Sequence, residues 1–366
     1  MARELAGRGW RILYIESLGL RAPQLGSSRD WKRILRRLKR GVVAFLGGPA
    51  QVEQNIWVLP PLVLPGLHHW GIARWFNRKI LDFTIRRFMG RHEFDQPVIW
   101  TYHPMMLDVI SSVGHGPIVY HCVDDVSAVP GIHQENYKTA EINLLKRADH
   151  VFTTALPLKA YCEKFNPNTV YFSNVVDFEH FASGDINTEE EPPDLKEIPR
   201  PRLVYHGVLS DYKVDFQLLL DAARLKKDWH WVIIGEERQG QKSPLVEQLR
   251  ELKNVHFLGY KSYEELPRYL QRMDVGLLPS LLNEYTRSMF PMKFYEYIAA
   301  GLPVVSTPLD FTKEIKEALK ISGNLSDFID GIQIQINKGL ISYKDREIFV
   351  SDKRWEIRTK KMINRI

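Results

Sequence analysis

The sequence contains little cysteine and no long apolar segment, and each absence excludes a class of protein. Two cysteines, Cys122 and Cys162, are too few for a disulfide scaffold or a cysteine-based metal site, so we expect buried thiols in a reducing compartment. No run approaches the roughly 18 apolar residues that a membrane-spanning helix needs. Arg11 and Glu16 interrupt the only early apolar run, and we therefore expect no signal peptide.

Motifs that bind cofactors or metal ions are also missing. The chain has no G-x-G-x-x-G loop for a dinucleotide, no D-x-D pair and no cluster of His and Cys residues. Asp124 and Asp125 are adjacent, so their side chains diverge and would chelate a metal ion poorly. We therefore expect neither a cofactor nor a metal ion. Because no nucleic-acid-binding motif accompanies the basic residues, we expect no nucleic-acid partner either.

The composition itself is that of a globular protein large enough for two domains. The chain has 366 residues, of which 44% are hydrophobic and 26% are charged. Its net charge of +6 is unevenly distributed, because residues 1–91 hold 17 Lys or Arg against 5 Asp or Glu. The remainder is mildly acidic. This asymmetry indicates an anionic partner for the N-terminal part of the chain.

This basic N-terminal part contains an amphipathic helix and an apolar segment. Residues 11–16 read as a first buried strand and residues 30–40 as a helix. The apolar face of that helix comprises Trp31, Ile34, Leu35 and Leu38. Three prolines in the apolar stretch 57–70 disfavour a helix or a central strand, so we expect a loop there. A second basic, aromatic segment follows at residues 70–91.

Two interpretations of these basic segments remain open. In the first, the helices pack their apolar faces on the core and their basic faces are solvated. In the second, aromatic side chains lie at the interface of an anionic membrane, and Lys and Arg contact the lipid head groups. The membrane-facing residues would then be Trp31, Arg33, Arg36, Arg37, Arg40, Trp70 and Trp75.

The first half of the chain alternates strands and helices, as a parallel α/β sheet does. We expect strands at 97–102, 117–123, 151–154 and 170–172 and helices at 136–148 and 156–165. His103 follows the first of these strands, and Asp124 and Asp125 follow the second. Since ligands bind at the carboxyl ends of parallel strands, these three residues are candidate catalytic bases. A structural histidine and a loop-capping aspartate are the alternatives.

A linker and a second α/β region follow. Residues 183–201 contain four prolines, a run of glutamates and few apolar residues, as linkers do. Beyond them we expect strands at 203–206, 231–234, 255–258 and 275–278 and helices at 215–223, 245–252, 263–271 and 352–366.

The most informative stretch is residues 290–309, which reads as a helix, a turn and a strand. Gly301 ends a helix that begins at Lys293, and residues 304–306 form a short buried strand. Lys293 and Glu296 lie in the first turn of this helix, where free N–H groups and the helix dipole suit an anion. The lysine adds a positive charge, and the carboxylate can accept hydrogen bonds from a ribose. The alternative is a solvated ion pair.

Residues 291–305 match the string P-x-K-x-x-E-Y-x-A-x-G-x-P-V-V. This string resembles the nucleotide-sugar donor motif of GT-B-fold glycosyltransferases of group 1 (RfaB-like). The resemblance implies two Rossmann-like domains that face each other across a cleft, with the C-terminal helix crossing back to the first. The boundaries would be 1–182 for the acceptor-binding domain, 183–201 for the linker, 202–349 for the donor-binding domain and 350–366 for the returning helix.

The resemblance also implies roles for particular residues. Gly259 and Tyr260 would meet the nucleobase, Lys293 the diphosphate and Glu296 the ribose. The preceding loop would supply donors to phosphate or sugar, including Thr286, Arg287 and Ser288. Gly207 and Lys213 are a partial counterpart of the phosphate-binding G-R…K-G pair of the family.

The chain departs from the family pattern at two of these positions. Many retaining members carry E-x7-E, but the first position here is Ser288, and the nearest glutamate, Glu284, lies four residues earlier. Val208 stands where the family has an arginine. The contact to the donor sugar, and with it the choice between retention and inversion, therefore stays open.

The function implied by the resemblance is a metal-independent, hexosyltransferase-type enzyme. It would move a sugar from a nucleotide diphosphate donor to a lipid-linked or cell-surface polysaccharide acceptor. The resemblance favours UDP over GDP as the nucleotide of that donor. Its expected location is cytoplasmic and peripheral, on the inner face of the cell membrane. The alternatives are a GT-B epimerase or hydrolase of the nucleotide sugar, a catalytically silent nucleotide-sugar-binding partner, and a membrane adaptor based on residues 29–91 alone.

Overall fold

The structure is a computed structural model of the chain. The structure describes residues 1–16, 28–62, 71–106, 116–183, 190–237, 242–315 and 319–366, without the side chains of residues 28–34, 37, 71–74 and 76. Its helices are α1 (Ala2–Gly7), α2 (Ser28–Gly47), α3 (Gly71–Arg91), α4 (Gln134–Arg147), α5 (Leu156–Cys162), α6 (Phe178–Ala182), α7 (Phe216–Leu225), α8 (Pro244–Arg250), α9 (Leu266–Leu270), α10 (Glu284–Arg287), α11 (Met292–Ala300), α12 (Leu325–Lys338), α13 (Tyr343–Phe349) and α14 (Trp355–Ile363).

A small mixed sheet opens the chain. It consists of β1 (Ile12–Ile15), β2 (Ala50–Glu53) and β3 (Ile56–Leu59) in the order β1-β3-β2. β3 pairs in parallel with β1 and antiparallel with β2. The prediction of a loop from residue 57 is therefore wrong for residues 57–59, which form most of a central strand. The first proline, Pro60, follows β3, so it removes no hydrogen bond from the ladder.

A parallel sheet of four strands follows, as the alternating pattern predicted. Its strands are β4 (Ile99–Thr101), β5 (Ile118–Cys122), β6 (His150–Thr153) and β7 (Thr169–Tyr171), paired in chain order. β5 is buried along its whole length, since it lies between two neighbours and carries apolar residues on both faces. The carboxyl ends of β4 and β5 therefore lie side by side, which brings His103 and Asp124 to the same edge.

The second parallel sheet has six strands, and the order in which the chain adds them reverses in the middle of the sheet. Its strands are β8 (Arg202–His206), β9 (His230–Ile234), β10 (Val255–Gly259), β11 (Val275–Leu278), β12 (Val304–Ser306) and β13 (Leu319–Ile321). They follow the order β10-β9-β8-β11-β12-β13. The chain winds outward from β8 on one side and from β11 on the other. A crevice opens where the order reverses, at the carboxyl ends of β8 and β11, and ligands of such sheets bind there.

The C-terminal helix packs on the first parallel sheet, as predicted. Met362 of α14 is 1% exposed and lies in one apolar cluster with Val119 of β5 and Phe152 of β6. Arg358 donates a hydrogen bond to the carbonyl oxygen of Ser173, at 3.0 Å. The last helix thus returns from the second sheet to the first, and the two Rossmann-like units are joined twice. None of the helices in the described part of the chain combines the length and the hydropathy that a membrane-spanning segment requires.

Candidate active site

The helix–turn–strand unit predicted from residues 290–309 is confirmed. α11 ends at Ala300, and Gly301 follows with φ +94°, a left-handed conformation that favours glycine. Tyr297 is fully buried, and its hydroxyl accepts a hydrogen bond from the backbone N–H of His206 at 3.1 Å. This contact fixes α11 against the end of β8. Lys293 and Glu296 occupy the partly exposed positions of the same helix.

A pocket of about 160 Å³ opens at the point where the strand order of the second sheet reverses. It is lined by Tyr205, Val208, Ser210, Tyr212, Lys213, Val214, Leu278, Ser280, Met289, Pro291 and Lys293. These residues come from the carboxyl ends of β8 and β11 and from the start of α11. Two of them, Lys213 and Lys293, are cations that the sequence predicted to bind phosphate. The pocket therefore suits an anion.

The side chain of Lys293 lies across Gly207. A Cβ atom at Gly207 would stand only 2.5 Å from the Cε atom of Lys293 and 2.8 Å from its Nζ atom. Gly207 also has φ +125°, which other residues rarely adopt. The Nζ atom lies 5.6 Å from the ring centroid of Tyr205, in cation–π contact. Burial lowers the pKa of Lys293, and the neighbouring Glu296 partly opposes this effect.

Glu296 lies beside His206, at the carboxyl end of β8. Its Oε2 atom is 3.2 Å from the Nε2 atom of His206, although the pair is not aligned as a hydrogen bond. Burial lowers the pKa of His206, and Glu296 opposes that shift. The ring is therefore neutral at pH 7. Sequence reasoning missed His206, because a histidine at the end of a buried strand carries no signal that distinguishes it from a core residue.

Lys213 is held by aromatic residues. Its Nζ atom donates a hydrogen bond to the Tyr285 hydroxyl at 2.9 Å and lies 4.4 Å from the centre of that ring. A second ring, that of Tyr212, is 5.4 Å away. Burial raises the pKa of Asp124, whereas Lys213 and a hydrogen bond from Tyr285 lower it. The structure thus brings together Lys213 and Asp124, which the sequence placed in different domains.

Comparisons with known proteins agree with this geometry. Residues 200–335, which include the six-stranded sheet, match the family model "Glycosyl transferases group 1". A curated relative, the putative teichuronic acid biosynthesis glycosyltransferase TuaH of Bacillus subtilis (strain 168), is 24% identical over 333 residues, which span 80% of this chain and 82% of TuaH. The family match assigns the region of the six-stranded sheet to the group 1 glycosyltransferases.

Two solved structures share the fold over 97% of the chain. Anabaena Alr3699/HepE, solved in complex with UDP and glucose, has a TM-score of 0.64 at 17% identity and covers 97% of this chain and 98% of its own. Sucrose-phosphate synthase from Thermosynechococcus elongatus has a TM-score of 0.66 at 16% identity, with coverage of 97% and 98%. The two Rossmann-like units are those of the GT-B fold.

Some residues predicted for the glycosyltransferase site have structural contacts instead. Asp125 caps the 3₁₀ turn Val126–Ala128 by accepting hydrogen bonds from Ser127. Thr286 is fully buried, and its hydroxyl forms a capping box with Asn283 at the start of α10. The Thr286 side chain is therefore not exposed to a ligand, which corrects its prediction as a donor. Backbone capping requires the same polar side chains as ligand binding, so the sequence could not separate the two roles.

The remaining predicted residues lie at the edges of the site. Arg287 is exposed and Ser288 partly exposed, at the end of α10. His103 follows β4, and its Nδ1 atom accepts a hydrogen bond from the backbone of Met105 at 3.1 Å. Gly259, with φ +70°, ends the edge strand β10, and Tyr260 beside it is 72% exposed. Tyr260 thus presents a free ring surface two strands away from the lysine pocket.

The membrane-facing residues are only partly described. Trp70 and the side chains of Trp31, Arg33 and Arg37 lie outside the described part of the chain. Arg36 is exposed, Arg40 pairs with Glu16 at 2.6 Å, and Trp75 is half-exposed. Leu35 is exposed, which does not fit the first interpretation, in which the apolar face of this helix packs on the core.

The exposure of Leu35 belongs to a larger apolar surface of α2. Leu35, Val43 and Leu46 are 67%, 62% and 68% exposed, and Val42 is also exposed. Their spacing places them on one face of the helix, beside the exposed cations Arg36, Lys39 and Arg40. The predicted helix ended at residue 40, whereas the observed helix continues to Gly47 and presents further apolar residues to solvent.

Proposed function

We propose that this glycosyltransferase uses a nucleotide diphosphate sugar as its donor, and we favour a UDP-sugar over a GDP-sugar. The observation that carries the proposal is the pair of lysines, Lys213 and Lys293, which line one pocket at the strand-order reversal. Charged donors of this kind bind a diphosphate strongly in a partly desolvated pocket. The HepE structures with UDP and with UDP-glucose support the choice of nucleotide.

The chemistry follows from where the charges lie. A departing nucleotide diphosphate gains negative charge, and preorganised cations lower the barrier by stabilising that charge. Lys213, Lys293 and the N-terminus of the nine-residue helix α11 would supply the stabilisation. Asp124 faces them from the acceptor side and is the candidate base for the acceptor hydroxyl. No metal ion is required for this scheme.

The proposed acceptor is a lipid-linked or cell-surface polysaccharide, built at the inner face of the cell membrane. The name of the curated relative, which refers to teichuronic acid biosynthesis, supports a cell-surface polymer. The apolar face of α2, bordered by Arg36, Lys39 and Arg40, supports peripheral binding to anionic lipid. α3 lies next to α2, since Phe45 and Phe83 are in ring contact at 5.9 Å. The exposed rings of Phe83 and Trp75 extend the apolar surface.

A panel of nucleotides tests the donor assignment. A ligand that binds the folded protein raises its melting temperature, so we expect UDP and UDP-sugars to raise it more than GDP, CMP or uridine. The Lys293→Met variant should lose most of this shift and the exposed Lys338→Met variant should keep it. Equal shifts with all nucleotides, or none, would contradict the proposal.

A turnover assay distinguishes transfer from the alternative reactions. We expect UDP release from a UDP-sugar to depend on a lipid-linked acceptor presented in vesicles. Release at the same rate without any acceptor would instead indicate a hydrolase or epimerase. Donor binding without turnover on acceptor extracts would indicate a silent binding partner.

A further inference from the structure

Lys213 lies on a loop between β8 and α7 that is held in place by a second loop. We call residues 207–214 the lysine loop and residues 279–283, which follow β11, the β11 loop. Val214 and Ser280 form an antiparallel bridge between the two loops. The backbone N–H of Leu281 donates a hydrogen bond to the carbonyl oxygen of Lys213 at 2.9 Å. The position of Lys213 at the pocket therefore depends on the β11 loop as well as on its own.

Asn283, at the end of the β11 loop, uses both ends of its side-chain amide. Its Nδ2 atom donates a hydrogen bond to the carbonyl oxygen of Tyr212 at 2.7 Å. Its Oδ1 atom accepts one from the backbone N–H of Thr286 at 3.0 Å, which caps α10. Only this orientation of the amide fits, because a carbonyl oxygen can only accept and a backbone N–H can only donate. Asn283 therefore connects the start of α10 to the residue next to Lys213.

The same connection keeps the aromatic partners of Lys213 together. The rings of Tyr212 and Tyr285 meet edge-on, with centroids 5.5 Å apart. The Lys213 ammonium donates a hydrogen bond to the Tyr285 hydroxyl at 2.9 Å and lies within cation–π distance of both rings. Asn283 fixes the backbone of Tyr212 to the helix that carries Tyr285. A lysine ordered in this way binds an anion more tightly than a mobile one, since less conformational entropy is lost on binding.

We propose that Asn283 is a positioning residue that holds the Lys213 ammonium in the donor pocket through the backbone of Tyr212. The inference rests on the proposed function for its catalytic meaning, since Lys213 is there a ligand of the diphosphate. The described residues that line the pocket include Lys213 but not Asn283. Asn283 thus acts on the donor only through Lys213. A residue that merely capped α10 would affect stability and leave the affinity for the diphosphate unchanged.

The Asn283→Ser variant separates the two hydrogen bonds of the amide. Serine caps a helix about as well as asparagine, but its single short hydroxyl cannot also donate to the Tyr212 carbonyl while it caps. The melting temperature should therefore change little. The Kd for UDP should rise about fivefold, with the Kd for uridine unchanged, because only UDP has the diphosphate. An unchanged Kd for UDP, or equal losses for UDP and uridine, would overturn the inference.

Asn324→Ser is the matched control for this substitution. Asn324 caps α12 in the same way, by accepting a hydrogen bond from the backbone N–H of Asp327 at 3.0 Å. The control should leave the affinity for UDP unchanged. A rise in Kd as large as that of Asn283→Ser would show that loss of an asparagine cap, and not loss of the link to Tyr212, is responsible.

A double-mutant cycle tests whether Asn283 acts through Lys213. Residues that act through one another show non-additive effects. In the Lys213→Met background, Asn283→Ser should cause no further rise in the Kd for UDP, because the side chain that it positions is absent. The same fivefold rise, of about the size expected in the wild-type background, would contradict the inference.

A spectroscopic measurement on the free protein keeps this inference separate from the proposed function. In protein labelled with ¹³C at the lysine ε-carbons, the Lys213 signal is assigned as the one absent from Lys213→Met. The Tyr285 ring, 4.4 Å from the Lys213 Nζ atom, should shift this signal away from those of exposed lysines. Asn283→Ser should move it back toward them, and an unchanged signal would overturn the inference. If the wild type does not bind UDP, the proposed function fails, and this signal still decides whether Asn283 positions Lys213.

Discussion

The site depends on pairs of residues that are far apart in the chain. Gly207 follows β8, and Lys293 lies in the first turn of α11. Because Gly207 has no side chain, the side chain of Lys293 can lie across it. Lys213 and Tyr285 form a comparable pair. The motif P-x-K-x-x-E identified the lysine, but nothing in the sequence showed that its side chain would extend toward Gly207.

Gly207→Ala should weaken UDP binding by displacing Lys293. The added methyl group would stand 2.5 Å from the Cε atom, so the lysine must move. We expect at least a tenfold rise in Kd, which corresponds to about 1.4 kcal/mol. Gly339→Ala is the matched control, since Gly339 also has a positive φ but has no atom within 4 Å of the added carbon. Similar losses of affinity in both variants would show that backbone strain, and not Lys293, is responsible.

The affinity for UDP should fall at alkaline pH because of Lys293. Burial lowers its pKa, so the ammonium loses its proton at lower pH than an ordinary lysine, whose pKa is about 10.4. Only the charged form attracts the diphosphate, and affinity therefore decreases as the pH rises toward that range. Lys293→Arg retains its charge there and should flatten the decrease in a calorimetric series from pH 7 to pH 10. Identical pH dependence in both proteins would contradict this role.

At the scale of helices and strands, apolar patterning predicted which elements exist but not where all of their faces point. All ten strands predicted by alternation or apolar runs are present, and each end lies within two residues of its predicted position. The pattern failed at residues 57–59, where nearby prolines were given too much weight, and it left open whether the apolar face that contains Leu35 packs on the core. In both cases tertiary pairing decides, and a local pattern contains no information about it.

The apolar face of α2 should mediate binding to anionic vesicles. Val43→Glu and Leu46→Glu each place a carboxylate among exposed apolar residues, which opposes insertion and repels anionic head groups. We expect a loss of at least tenfold in the partition coefficient for vesicles that contain phosphatidylglycerol, measured by sedimentation. The control is Ile348→Glu, an equally exposed position on α13. Vesicle binding that is unaffected by the α2 substitutions would remove α2 as the docking surface.

The whole molecule is held together by the returning helix as well as by the chain between the sheets. Resemblance to the family predicted that α14 crosses back, and the packing of Met362 on the first parallel sheet confirms it. Resemblance did not predict the ion pair between Lys138 and Glu284, which lie 3.7 Å apart and join the two halves.

Met362→Ala should destabilise the protein by loosening α14 from the first sheet. Truncating a fully buried methionine leaves a cavity and costs about 2–5 kcal/mol. The urea midpoint should fall accordingly, or a separate early transition should appear if the helix detaches first. Ile357→Ala, on the exposed side of the same helix, serves as the control and should cost far less. Equal midpoints for the two variants would contradict the packing described for Met362.

The central claim is that two lysines at the strand-order reversal bind the diphosphate of a nucleotide. Calorimetric titration with UDP and with uridine tests it most directly, since the two ligands differ only in the diphosphate. We expect the wild type to bind UDP at least tenfold more tightly than uridine and Lys293→Met to lose most of that difference, because charged hydrogen bonds contribute about 1.5–3 kcal/mol each. Undiminished preference for UDP in Lys293→Met would contradict the account.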